Sequence, residues 1–217
     1  AAERELGGVS SVKEHLGEVT GEYSELKGLT GLEDVVLVDQ SPIGRTPRSN
    51  PATYIKAWEH IRKLFASNHL ARERGYGPGH FSFNVSGGRC EACKGAGQVK
   101  IEMVFMADVY VGCDTCGGAR YNRELLEVRI RGKNVSEILE LTVTEAIRFF
   151  IRERKLGQKL WQLEQVGLGY LRLGQAATTL SGGEAQRLKI AREFTSAAGK
   201  RGRQLYILDE PTTGLSG

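Results

Sequence analysis

The chain has 217 residues, 40% of them hydrophobic and 26% charged, with a formal net charge of +4. That length can bury a real core as one large domain or two small ones, and the mild charge alone does not establish nucleic-acid binding. No apolar run approaches the roughly 18 residues a membrane span needs and no charged-then-apolar leader opens the chain, so a cytoplasmic chain with no membrane partner is expected.

Leu32 to Gln40 reads as a buried strand through Val35-Val-Leu-Val-Asp39, ending at Gln40. Ser41-Pro-Ile-Gly-Arg-Thr-Pro47 is a loop. Asn50-Pro51 has the form of an N-cap followed by proline at the first helical position. Ile55, Trp58, Ile61 and Phe65 recur at helical spacing, predicting a core-facing helix from Pro51 to about Ala66. Between Gly44 and Arg74 the basic residues Arg45, Arg48, Lys56, Arg62, Lys63, Arg72 and Arg74 meet only Glu59 and Glu73. A solvated basic face and a phosphate-contact surface both account for that excess. His69 to Gly88 is glycine-rich and reads as irregular.

The four cysteines, Cys90, Cys93, Cys113 and Cys116, form two Cys-x2-Cys pairs. This is the spacing of a four-thiolate zinc site. Gly95, Gly97, Gly117 and Gly118 permit the positive φ values such knuckles need. Val99 to Phe105 between the pairs alternates like a strand, so two knuckles joined by strands predict a zinc ribbon. Two disulfides or four unrelated thiols are the competing readings; a cytosolic setting disfavours the first, and four cysteines with none left over disfavour the second. Four thiolates leave no open coordination position, so the Zn²⁺ is expected to be structural.

Leu126, Val128 and Ile130 alternate with charged residues and suggest a strand. Thr142-x-x-Glu145 is a capping box that opens a helix to about Arg154. Leu160, Leu163 and Val166 suggest a second helix closed by Gly167. Ser181-x-x-Glu184 is another capping box, opening a helix through Leu188, Ala191 and Phe194. Gly182 and Gly183 stand in its first turn, where glycine weakens a helix. They make sense if the backbone there must approach something closely, and phosphate is the natural ligand of a helix N-terminus. An ordinary capped helix explains the serine and glutamate but not the two glycines. Leu205-Tyr-Ile-Leu208 reads as an inner parallel strand. Asp209 and Glu210 end it, placed to hold Mg²⁺ through water and to polarise an attacking water as general base.

Leu180 to Arg187 resembles the signature motif of ABC ATPases, Leu205 to Pro211 their Walker B strand, and Gln40 their Q-loop glutamine. A four-cysteine module between Q-loop and signature resembles the UvrA family, the damage-sensing ATPases of bacterial nucleotide excision repair. Val38 to Thr53, Phe81 to Cys93, Arg120 to Glu124 and Val166 to Gly174 support this, and they match the second, C-terminal nucleotide-binding half.

The resemblance implies an α/β fold: a partial ABC-ATPase nucleotide-binding domain with a helical signature subdomain and an inserted zinc ribbon. Its segments would be 1–50 (partial ATP-binding core), 51–88 (helix and basic linker), 89–124 (zinc module), 125–180 (helical signature region) and 181–217 (signature helix and Walker B strand). It implies Zn²⁺ ligands at Cys90, Cys93, Cys113 and Cys116. It also implies contacts to ATP and Mg²⁺ at Gln40, Ser181, Gly182, Gly183, Glu184, Gln186 and Asp209, with Glu210 catalytic. Damaged duplex DNA, UvrB and a second UvrA copy are the implied partners. A self-resistance paralogue, or a zinc-ribbon DNA- or protein-binding module without chemistry, are the alternative functions.

Two departures stand out. No Gly-x-x-x-x-Gly-Lys-Ser/Thr loop occurs in the sequence, and Ser216 stands where the family has its switch histidine. Ala2 to Leu6 resembles the tail of the helix after Walker A. A fragment inactive on its own is therefore expected.

Overall fold

The computed structural model describes residues 24, 25, 27–103, 109–197 and 203–210. Readings that fall on Ala2 to Leu6, Phe105, Pro211 and Ser216 lie outside the described residues.

Strand β1 (Leu32–Val38) pairs in parallel with β6 (Arg203–Leu208), Val35 opposite Leu205 and Val38 opposite Leu208. The parallel register sets both carboxyl ends, Asp39-Gln40 and Asp209-Glu210, side by side. β1 is buried at Val35, Val36 and Val38 as its apolar run predicts. β6 is not: Leu205, Ile207 and Leu208 are each about two-fifths exposed. An inner strand needs neighbours on both edges, and among the described residues β6 pairs only with β1.

The helix predicted from Pro51 to Ala66 is two helices. α1 (Pro51–Tyr54) is capped by Asn50, whose side chain accepts from the Thr53 amide. The chain then turns at Lys56, with φ of 56°. The Ala57 amide donates to Ala52 O at 2.9 Å and the Lys56 amide to Thr53 O at 3.1 Å, the Schellman pattern. α2 (Trp58–Ala66) restarts and buries Trp58, Ile61 and Phe65. The stop escapes a sequence reading because lysine, not glycine, takes the left-handed position. His69–Glu73, expected to be irregular, forms a short helix α3 capped by Asn68.

In the cysteine module, the strand expected from Val99 to Phe105 ends at Ile101: β2 (Gln98–Ile101) pairs antiparallel with β3 (Val109–Gly112). The strand expected across Leu126 to Ile130 is mostly a 3-10 turn, Leu125–Glu127. Only β4 (Arg129–Ile130) and β5 (Lys133–Asn134) pair, joined by Arg131 and Gly132, both at positive φ. That two-residue turn joins the strands as a tight hairpin.

α4 (Val135–Leu139) and α5 (Val143–Phe149) each begin with a complete capping box, at Asn134/Glu137 and Thr142/Glu145. α5 stops five residues before Arg154, which instead opens α6 (Arg154–Gln165). Arg131 donates to the Phe149 carbonyl there, satisfying one of the last-turn acceptors. α6 buries Leu156, Leu160 and Leu163 and is closed by Gly167 at φ 75°. α7 (Gly182–Ala197) follows. One apolar core runs from Ala52 through Phe81, Tyr121, Ile138, Leu160 and Leu188 to Ala191, while the cysteines form a separate small cluster. No helix among the described residues is long and apolar enough to cross a membrane.

Candidate functional site

α7 begins as its sequence requires. The Glu184 amide donates to Ser181 Oγ at 3.2 Å, and the Ser181 amide donates to Glu184 Oε2 at 2.8 Å. The Ser181 hydroxyl also hydrogen-bonds the Glu184 carboxylate. The other Glu184 oxygen accepts from the Tyr170 hydroxyl at 2.7 Å. Burial opposes its ionisation, but the Tyr170 and Ser181 hydrogen bonds outweigh that and hold the carboxyl below its ordinary range.

One face of α7 lies across the carboxyl ends of β1 and β6. Gly182 meets Gln40, and a Cβ built on Gly182 would lie 2.7 Å from Gln40 Oε1. Gln186, 2% exposed, donates from Nε2 to Val38 O at 3.1 Å and to Asp209 O at 2.5 Å. Lys189 pairs with the Asp39 carboxylate and donates to Ser41 Oγ at 2.6 Å. The residues are spaced i, i+4 and i+7, which puts them on one helical face. Gln40, Gly182, Gln186 and Asp209 are thus brought together. Gln186 is spent on backbone carbonyls, where it holds the two strand ends in register instead of presenting its amide to solvent. Asp209 and Glu210 are exposed, and Glu210 has φ of 42°. A non-glycine residue held there costs on the order of 1–3 kcal/mol, a strain that clusters at functional sites.

Asp39 and Lys189 were not legible as site residues. Burial disfavours the Asp39 charge, but the Lys189 ammonium and the Ser41 hydroxyl and amide prevail and hold its carboxyl at about 2. Lys189 repeats on the Gly182 face of the helix, but its partner is 150 residues away.

The four cysteine sulfurs all lie within 4.8 Å of one another. Cys90 and Cys113 Sγ are 4.0 Å apart, Cys93 and Cys116 Sγ 3.8 Å. Disulfide bonding requires about 2 Å, whereas tetrahedral bonding of four sulfurs at about 2.3 Å from a metal requires separations near 3.8 Å. The donor set fits a metal ion. The Gly97 amide donates to Cys93 Sγ at 3.3 Å, and Lys94, Gly95, Gly117 and Gly118 all take positive φ in the knuckles. The Cys116 amide pulls the Cys113 thiol down to about 7, while burial pushes Cys116 up to about 12. A bound cation would supply the charge that lets all four ionise.

Arg120 ties this module to the core. It donates to Gly174 O at 2.9 Å and Pro47 O at 3.3 Å and lies over the Phe83 ring. The basic excess of the first half divides. Arg45 and Arg48 join Lys94, Lys100 and Tyr110 around a groove of about 490 Å³ beside Cys93. Arg74 instead pairs with Glu127, and Arg89 makes a two-pronged pair with Glu91.

The ABC transporter family matches residues 96–213. The chain is 60% identical to UvrABC system protein A of Methanothermobacter thermautotrophicus and 58% identical to that of Thermus thermophilus, each over 195 residues. In both cases 90% of this chain is covered but only 20% of the relative, so the chain spans about a fifth of their length. The crystal structure of UvrA2 from Deinococcus radiodurans superimposes with a TM-score of 0.82 at 56% identity, over 86% of this chain and 23% of that one.

Proposed function

Because this chain belongs to the ABC transporter family and its sequence is of the UvrA type, we propose that it is part of a DNA damage-recognition ATPase of nucleotide excision repair. It couples ATP binding and hydrolysis to DNA binding and to loading of UvrB. The observation that carries this reading is the face of α7. It joins the helix start at Gly182 to the Gln40 turn and, through Gln186, to the strand that ends in Asp209 and Glu210.

The roles follow from the donors each residue has left. The Ser181 hydroxyl, turned from Glu184 to the ligand, and the first-turn amides of α7 bind the γ-phosphate of a nucleotide held on a Walker A loop elsewhere. Gln40, packed on Gly182, reads the metal and that phosphate. Asp209 would hold Mg²⁺, which would supply charge neutralisation at the phosphates. Glu210 orients and deprotonates the attacking water. Glu184 and Gln186 act on the protein itself. Cys90, Cys93, Cys113 and Cys116 would hold Zn²⁺, which would fix the fold of the hairpin module. The Arg45, Arg48, Lys94 and Lys100 groove then takes duplex phosphates, which predicts affinity falling steeply with salt.

The chain alone carries no Walker A motif, so no Glu210-dependent turnover is expected from it. The test is a chimera in which this chain replaces the homologous fifth of the Thermus thermophilus protein. It should hydrolyse ATP, and Glu210→Gln should lower the rate roughly 100-fold or more. Equal turnover with and without Glu210 would overturn the assignment.

A further inference from the structure

We propose that Lys189 is a positioning residue: gripping the Asp39–Ser41 turn from α7, it holds Gln40 against Gly182 and makes that turn and the start of α7 one unit. The inference rests on the reading that Gln40 and the N-terminus of α7 handle nucleotide.

The Asp39 carboxylate folds the turn. Its Oδ1 accepts from the Ser41 amide at 3.1 Å and from the Ser41 hydroxyl at 2.7 Å. Lys189 fastens the folded turn to the helix, donating to that same oxygen, to Asp39 O at 3.3 Å and to Ser41 Oγ at 2.6 Å. Surface ion pairs contribute little on their own. This one differs in two ways. Both side chains are mostly out of water, 16% and 22% exposed. The ammonium also holds the residues on both sides of Gln40 at once. Gln186 cannot substitute, since it bonds the strand ends Val38 and Asp209 and nothing in the turn. Gln40 Oε1 in turn sits at the helix start, against Gly182. A ligand that shifts the first turn of α7 therefore shifts Gln40 with it, and the two segments report to each other without a separate hinge.

Amide hydrogen exchange of the full chain by NMR tests this at the Ser41 amide. The control is the buried Leu168 amide, which donates to Leu163 O at 2.9 Å. Lys189→Met should raise Ser41 exchange by about tenfold while Leu168 stays unchanged. Lys189→Arg should restore most of the protection, because it keeps charge and donors. Asp39→Asn carries the same expectation as Lys189→Met if the latter folds poorly, and the double variant should add nothing to either. Ser41 exchange unchanged in Lys189→Met, Leu168 exchange rising in step with it, or no restoration by arginine would each overturn the proposal. The nucleotide reading fails separately. If Gln40→Ala leaves ATP turnover of the chimera intact while Lys189→Met still frees Ser41, the positioning stands and the role of Gln40 does not.

Discussion

The side-chain oxygen of Gln40 lies 2.7 Å from the place a Cβ on Gly182 would occupy, and Gln40 Cβ lies 3.3 Å from it. The glycine that opens α7 is therefore required by a protein side chain as well as by any phosphate. Alanine at an ordinary helix position gains up to about 1 kcal/mol over glycine. Here Gly182→Ala must push aside the flexible end of Gln40. Urea stability should stay within about 0.5 kcal/mol of the parent, because the gain and the displacement offset. ATP turnover of the chimera should nevertheless fall. In a Gln40→Ala background the same change should stabilise the chain, and this non-additivity is the signature of direct contact. Additive effects would show that the two residues do not meet.

The cysteine pairs, the capping boxes at Thr142 and Ser181, and the closure of α6 at Gly167 were legible in the sequence because each is a local device with its partners within a few residues. What escaped reading depends on distant partners or on a residue in a backbone conformation its type rarely takes. Lys56 ends α1 in a conformation that glycine usually marks. Lys189 finds Asp39 across 150 residues. Gln186 looks like a motif residue turned toward ligand, yet its amide is consumed by Val38 and Asp209. The apolar content of Leu205 to Leu208 announces an inner strand, but burial depends on neighbours that a strand's own sequence does not contain.

The metal centre should be separable from the helical core. Purified chain should contain one zinc, and a chelator should unfold the hairpin module, since structural zinc contributes on the order of 10 kcal/mol. The reporter is Trp58, which is 4% exposed and lies 5.6 Å from Phe83. Phe83 supports the first knuckle so closely that a Cβ on Gly95 would stand 2.0 Å from its carbonyl oxygen. In a Trp161→Phe variant, which removes the exposed second tryptophan, chelation should shift Trp58 emission while far-ultraviolet helicity is retained. Helicity collapsing with the metal would mean the core depends on the module.

Arg120 should be the most sensitive cation in the chain. Burial lowers its pKa, but from so high a value that it stays charged. Its guanidinium joins Pro47, Gly174 and the Phe83 ring, three segments far apart in sequence. Arg120→Ala leaves two carbonyls unbonded and a gap beside Phe83, a loss of roughly 2–4 kcal/mol in urea unfolding. Arg120→Lys should recover less than half, because one ammonium cannot reach both carbonyls in a fixed fork. Full recovery by lysine would show that charge alone matters there.

Asp39 gives a pH dependence with a definite sign. Its carboxyl has an ordinary value of 3.8 and is held at about 2 in the folded chain. A depressed carboxylate contributes stability that is fully present above the unfolded value and is lost as pH falls through the folded one. Its share should therefore persist down to about pH 4 and vanish toward about pH 2. Acid would also strip any metal held by the cysteines, and it protonates the capping carboxylates Glu137 and Glu145, whose values are likewise lowered. Those losses are common to the parent and to Lys189→Met, so the difference between the two proteins isolates the pair. Urea titrations at closely spaced pH should show a stability gap that is constant from pH 7 to about 4 and closes below it. A gap that stays open at the acid end would mean Lys189 stabilises the turn through its methylene stem and not through the Asp39 charge.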